Sequence, residues 1–368
     1  MKIGLVQDGS RTAAGIGEVA PEQRLREVIE EAQLADLLGF DFYGLAEVHF
    51  SPEMQMSAPE VLLGALAAET ERIKLRSVST VMLAFNHPVR VAERVAMLDL
   101  ISNGRIEVGT ARSNQAHTIE AFEVSGAETK QQYAEALELM IAAFTEDPFS
   151  HDGEFWHVPE RSLFPKPMQK PHPPVFVSAT SVDTHAFAGQ QGLGIMSGNS
   201  LAGGWDFVQE CHDVYRANWV DGAARGRLTN DTFSSLALRA HCAETTAQAY
   251  EEGGRAAFET IDMVMTWFQR MAQQSDDYAY MASINELADR KRDLAYVVDR
   301  APYVSIGDPD FFVERCHRLA GMGVDEFILE IDGLGHERHM RAIELIGREV
   351  IPRIKDMVPK RATAPEKG

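Results

Sequence analysis

The stretch Ile73-Lys74-Leu75-Arg76-Ser77-Val78-Ser79-Thr80-Val81, followed by Pro88-Val89-Arg90-Val91-Ala92-Glu93 and then by Ile106-Glu107-Val108-Gly109, reads as strand, helix, strand. The outer blocks are short, apolar and β-branched, whereas the segment Val89 to Leu100 repeats its apolar residues at helical spacing. Pro88 suits a first helical turn, where its missing N–H needs no partner. Working outward from this unit, the same alternation continues in both directions. Strands are expected at Lys2 to Gln7, Phe42 to Ala46, Ile73 to Val81, Ile106 to Gly109, Val175 to Ala179, Gly194 to Met196, Leu236 to Cys242 and Glu326 to Ile331. Helices are expected at Glu22 to Leu38, Pro59 to Glu69, Val89 to Leu100, Tyr133 to Phe144, Thr184 to Gln191, Trp205 to Trp219, Pro309 to Met322 and His339 to Met357. Repeated βα units with short buried strands predict an α/β fold, a closed (β/α)8 TIM barrel.

A chain of 368 residues fits one decorated barrel, and residues 1–358 are expected to form a single domain. Two stretches interrupt the alternation. Pro148 to Pro174, rich in Pro, aromatics and His, predicts a surface excursion with a hairpin at Asp152-Gly153. The longer one, 243–305, predicts a helical insertion after strand seven that could serve as a lid over the C-terminal mouth, where barrel enzymes keep their sites. The tail 359–368 lacks an apolar period and is expected to be loose.

The formal net charge of −20 disfavours nucleic acid and anionic membrane surfaces as partners. Three widely spaced cysteines, Cys211, Cys242 and Cys316, offer neither a disulfide framework nor a CxxC metal site. The N-terminal segment runs straight into a strand, so a cytoplasmic protein is expected.

A dinucleotide fold would need GxGxxG after the first strand, and that strand leads instead into Gln7-Asp8-Gly9-Ser10-Arg11. No P-loop, HExxH or GxSxG motif occurs. His336-Glu337-Arg338-His339 lacks a third ligand nearby and reads as a solvated helix start, so no metal is expected. The informative residues end the strands. Glu47-Val48-His49-Phe50 follows strand two, Asn86-His87-Pro88-Val89-Arg90 strand three, Thr110-Ala111-Arg112-Ser113 strand four and Thr180-Ser181-Val182-Asp183-Thr184 strand five. In a barrel these clusters share one mouth.

The blocks Leu45-Ala46-Glu47-Val48-His49-Phe50, His87-Pro88-Val89-Arg90-Val91-Ala92-Glu93 and Leu98-Asp99-Leu100-Ile101-Ser102-Asn103-Gly104-Arg105 resemble the bacterial luciferase-like flavin monooxygenases. Pro165-Lys166-Pro167-Met168-Gln169 and Ile306-Gly307-Asp308-Pro309 follow in the family's order. The resemblance spans nearly the whole chain and implies a TIM barrel with an insertion after strand seven. It also implies a site for reduced FMN, supplied by a separate flavin reductase and used with O2 to oxidise a small-molecule substrate, in a protein that usually forms a homodimer. Arg112 stands at the family's flavin-phosphate position, with Ser181 and Thr184 adding hydroxyls and Lys130 the nearby cation, while Ser79 and Thr80 would lie against the flavin ring.

At Val48 the sequence departs from the family, which often has a second histidine there. His49 is the candidate for acid or base work, with Glu47 orienting it, because an imidazole titrates near neutrality. Two other functions share the fold: an oxidoreductase dependent on the deazaflavin F420, and a flavin binder without catalysis.

Overall fold

The computed structural model describes residues 1–13, 17–198, 201 and 203–360. Strand Glu326–Glu330 shows the logic of the sheet. Glu326, Ile328 and Glu330 turn into the barrel, while Phe327 and Leu329 join the cluster packed under the helices. Both faces are covered, as side chains alternating on a parallel strand require.

Eight parallel strands close the barrel: β1 Lys2–Gln7, β2 Phe42–Leu45, β3 Lys74–Val81, β4 Ile106–Ala111, β5 Val175–Ala179, β6 Gly194–Ser197, β7 Phe233–Ala237 and β8 Glu326–Glu330. Neighbours follow the order of the chain, and β1 closes the ring by pairing with both β2 and β8. Inside, Val6, Phe42, Val78, Phe176, Met196 and Ile328 form an apolar layer. Below it Arg76 is wedged between the Phe42 and Phe176 rings, 3.7 and 3.9 Å from their centroids. Its guanidinium is 2.6 Å from Glu107 and 2.9 Å from Glu326. Paired on both sides, this buried cation fills the floor and leaves the C-terminal mouth as the open end.

The helices around the barrel are α1 Pro21–Leu38, α2 Pro59–Glu69, α3 Pro88–Ile101, α4 Thr129–Thr145, α5 Val182–Gln191, α6 Gly204–Ala217, α7 Pro309–Gly321 and α8 His336–Leu345. Gly39 ends α1 at φ 84°, a left-handed conformation that a residue without Cβ adopts freely. Pro88 opens α3, with the His87 side chain accepting from the Val89 N–H. A short helix Ala116–Ala121, which the periodicity did not reveal, follows β4.

The expected strand Leu236 to Cys242 is a correction. The barrel strand starts earlier, at Phe233, and Arg239–Cys242 is a separate strand paired in parallel with Val304–Gly307. Ser234, facing into the barrel, and Ser235, facing the helices, hid the start, because both faces of a barrel strand are expected to be apolar. The Ser234 hydroxyl is at home there because it donates to Glu326 across 2.8 Å. Between the paired short strands run a helix, Thr246–Met271, a 3-10 segment, Asp276–Leu287, and a short helix, Leu294–Arg300. The excursion carries the expected antiparallel hairpin, Phe149–Asp152 with His157–Arg161. Of the tail, Pro359 and Lys360 are described, the Lys360 N–H donating to the Ala320 carbonyl, and residues 361–368 lie outside the described ones. No helix among the described residues is long and apolar enough to cross a membrane.

Candidate active site

A cavity of about 190 Å³ opens among the C-terminal ends of the strands. Its walls come from strand ends around the whole barrel, and its roof from the insertion, through Met263, Trp267 and Phe268 of the long helix and Tyr278, Tyr280 and Met281 of the 3-10 segment.

On β3 the pairing with β4 shifts register between Ser77 and Thr80. This bulge re-aims the chain. Val78 and Ser79 both face the cavity, while Thr80 turns outward into a small space beneath α2 and α3. The bulge needs room on β4, where a Cβ on Gly109 would stand 2.2 Å from the Ser77 carbonyl oxygen. Of the two residues expected against a flavin ring, the structure therefore brings Ser79 to the cavity and not Thr80. The Ser79 hydroxyl accepts the Glu47 N–H at 3.1 Å.

Glu47 and Val48 also line the cavity. The Glu47 carboxylate is occupied on both oxygens. One lies 2.9 Å from His49 Nε2 and the other accepts the Val81 N–H at 3.1 Å. His49 itself is not among the lining residues. Its ring stands edge-on to Phe85 and Phe122, with centroids at 5.7 and 5.2 Å, and it reaches the cavity only through Glu47.

Arg112, just past β4, lines the central cavity and also a second one of about 720 Å³. The two spaces share Arg112, Thr184 and Tyr280. The guanidinium lies over the Tyr278 ring, 4.6 Å from its centroid, and its buried Nη1 has no hydrogen-bond partner among the described residues. A buried donor left unpaired is costly unless something fills it. Ser181 and Thr184 border the second cavity at the start of α5, where Ser181 caps the helix by accepting from the Thr184 N–H. Helix N-termini favour anions. Lys130 is there too, with Asp183, Asp276 and Asp277 on the same walls. A flat apolar ring in the first space with an anionic tail in the second would satisfy Arg112, so the residues fit a flavin mononucleotide.

Sequence reasoning missed the other side of the mouth. Asp8 and Glu330, at the ends of β1 and β8, line the cavity while only 6 % and 5 % exposed. Burial lifts Asp8 well above the usual carboxylate range, and the facing Asp332 adds to it. Burial also pushes the Glu330 carboxyl up to about 8, opposed by Arg239 and reinforced by Asp332. Asp332 goes the other way. Burial would raise it too, but Arg24 at 3.4 Å and the backbone N–H of Ser10 at 3.0 Å hold it below the usual range. The signal was present in β8, where Glu330 falls on the same inward alternation as Ile328.

Behind this wall, Arg24 also meets Glu31 at 2.9 Å. Both His336 and His339 place Nδ1 3.0 Å from the same Glu31 oxygen. The expected solvated helix start is thus corrected, because His339 is buried against a carboxylate from α1. Burial would raise Glu31, yet Arg24 and the two histidines hold it well below the usual range. Among the described residues no group of three or more His, Cys, Asp or Glu is arranged to hold a metal ion.

The luciferase-like monooxygenase family model matches residues 5–326. The oxygenase component of the flavin-dependent trigonelline monooxygenase of Acinetobacter baylyi is 26% identical over 339 residues, covering 90% of each chain. Among solved structures, the oxygenating constituent of the 3,6-diketocamphane monooxygenase of Pseudomonas putida, a type II Baeyer-Villiger enzyme in complex with FMN, superposes with a TM-score of 0.76 at 21% identity, covering 98% of this chain and 100% of that one. The coenzyme F420 dependent tetrahydromethanopterin reductase of Methanopyrus kandleri shares the fold at a TM-score of 0.68 and 17% identity, covering 95% of this chain and 98% of that one. A family model that spans the barrel from β1 to the start of β8 and a flavin-dependent relative aligned along nine tenths of the chain agree: the chain belongs to the luciferase-like monooxygenase family.

Proposed function

We propose that this chain is the oxygenase component of a two-component flavin-dependent monooxygenase, which takes reduced FMN from a separate reductase and uses it with O2 to oxidise a small organic substrate. The observation that carries this is Arg112, a half-buried cation at the junction of the two cavities whose buried Nη1 has no hydrogen-bond partner among the described residues. When bound, reduced flavin supplies the electrons that activate dioxygen for transfer of one oxygen atom to substrate.

The residues of the chain divide the remaining work. Arg112 and Lys130, with the Ser181 and Thr184 hydroxyls, hold the phosphate. Ser79 presents its hydroxyl at the ring side of the cavity. Glu47 faces the reacting space and is the group that holds or moves a proton there, with His49 fixing its carboxylate from behind. The insertion roof, through Trp267, Phe268 and Tyr280, excludes water, which strengthens every polar contact below it. A second copy of the chain would cover Val61, Met97 and Ile101, left exposed on α2 and α3, in a homodimer.

The test is an anaerobic titration with reduced FMN and reduced F420 in parallel, each followed by mixing with oxygen. Reduced FMN should bind, and reoxidation in the protein should be slower than in free solution. Preferential binding of F420, or FMN reoxidised as fast as free flavin, would overturn the proposal.

A further inference from the structure

Every carboxylate on the cavity wall except one has its oxygens engaged. Glu47 is held by His49 and the Val81 N–H. Asp8 accepts from the Ser10 N–H at 3.1 Å and faces Asp332. Glu330 is different. Among the described residues no hydrogen bond or ion pair reaches its carboxyl, although it is buried and lines the cavity. A buried polar group without a partner points to a ligand that supplies one.

Its place is informative as well. In the ring of eight strands, β8 lies directly across from β4, so Glu330 faces the space from the side opposite Arg112. Between them the wall is apolar, with Val6, Val78, Met196, Leu236 and Ile328. If a flavin takes the Arg112 side, the volume against β8 and β1 remains for the substrate.

We propose that Glu330 anchors the substrate, its carboxyl meeting a carbonyl-type acceptor oxygen on a small, otherwise apolar molecule. This rests on the flavin assignment above only for the side of the cavity that the substrate takes. Four charged or titratable groups face Glu330: Asp8 from beyond β1, Asp332 from beyond β8, Arg239 from the short strand after β7 and Tyr303 from the end of the insertion. Burial together with Asp332 keeps the carboxyl protonated at neutral pH, so it donates rather than accepts. A cationic substrate fits poorly, because Arg239 already supplies positive charge and Asp332, the ionised carboxylate nearby, is engaged by Arg24 and Ser10. An anionic substrate fits worse. A carbonyl accepts the proton of Glu330 in a hydrogen bond without any charge being moved.

Three probes of one shape separate these cases: cyclohexanone, cyclohexylammonium and cyclohexanecarboxylate. Their binding is measured by saturation-transfer NMR at pH 6.5 and 9.5, with and without oxidised FMN, and the carbonyl stretch of bound cyclohexanone is followed by infrared difference spectroscopy. Cyclohexanone should bind best at pH 6.5, with its stretch moved to lower frequency, and weaken about two- to tenfold as pH rises through the Glu330 titration, the range of one neutral hydrogen bond. Glu330→Gln keeps a donor that does not titrate, so binding should persist and its pH dependence vanish. Glu330→Leu should remove the frequency shift at both pH values. Should the glutamine variant fail to fold, the pH dependence of the stretch in the native chain decides. A stretch that ignores pH, or a preference for either charged probe, would overturn the proposal. Loss of FMN binding with the cyclohexanone pattern intact would instead refute the cofactor assignment and leave Glu330 standing.

Discussion

The two sides of the barrel mouth are built on opposite principles. Near β4 and β5, Arg112 has a buried nitrogen without a hydrogen-bond partner among the described residues, and the Ser181 hydroxyl bonds to the Thr184 hydroxyl and backbone N–H. Near β8 and β1, Asp332, Arg24, Glu31 and His339 are joined in a buried network, and among the described residues no hydrogen bond or ion pair of that network reaches the Glu330 carboxyl. The first side is a cation waiting for an anion. The second pairs Arg24 with Glu31 and Asp332 and presents a neutral acid. Groups that await a ligand can be removed at little cost to folding, whereas groups that complete each other cannot.

The sharpest way to break this contrast is Arg24→Met. Removing one partner of a buried charge network costs about 3 to 5 kcal/mol, so urea unfolding should show a loss of that order. If stability is unchanged, the acidic side is not held together as described. Arg112→Ala is the counterpart. A charge-assisted hydrogen bond contributes about 1.5 to 3 kcal/mol, so reduced FMN should bind roughly 10- to 150-fold more weakly, with riboflavin affinity and the unfolding midpoint nearly unchanged. Equal losses for FMN and riboflavin would move the phosphate elsewhere.

His49→Ala tests the wall between the two sides. It deletes one hydrogen bond to Glu47, and kcat should fall about 2- to 10-fold with KM little changed. His49→Gln, whose amide can still donate, should restore most of the rate, and a variant as active as the native enzyme would leave His49 with packing alone. The pH dependence of stability follows Glu330. Its folded value lies above the ordinary one, so its contribution is fully present below the usual carboxylate range and is lost as pH rises through about 8. Glu330→Gln should flatten the decline in melting temperature over that window, and an unaltered slope would place the titration elsewhere. The smallest effect is expected at Asp277, half-buried on the second cavity, where Asp277→Asn should tighten FMN by about twofold in an isothermal titration, the scale of one screened ion pair. Weaker binding would mean that Asp277 helps to hold the ligand.

The barrel was legible because seven of its strands are short apolar runs with clear ends, and Arg112, Ser181 and Thr184 because they follow such ends directly. β7 was misplaced because Ser234 is an inward-facing polar residue whose partner, Glu326, is 92 residues away in sequence. Thr80 could not be assigned a face because a strand alternates strictly until a bulge intervenes, and nothing in Ser77-Val78-Ser79-Thr80 announces one. His339 read as solvated because its carboxylate sits 308 positions earlier. Glu330 could have been found, since a charged residue on the inward alternation of a strand buried on both faces needs an explanation. What the chain carries locally was readable, and what depends on a distant partner was not.

The short strands Arg239–Cys242 and Val304–Gly307 run side by side in the same direction, with Arg239 opposite Val304 and Cys242 opposite Gly307. Parallel neighbours cannot be joined by a tight turn, and the chain must travel back the full length of the pair through a crossover of a dozen residues or more. The helix Thr246–Met271 is that return path. The roof of the cavity is therefore a βαβ unit grafted on the rim, and it cannot be trimmed to a hairpin without unpairing the strands that carry it. Variation in what the cavity accepts is open to the segment Asp276–Leu287, which hangs from this unit, while the unit itself is fixed by topology.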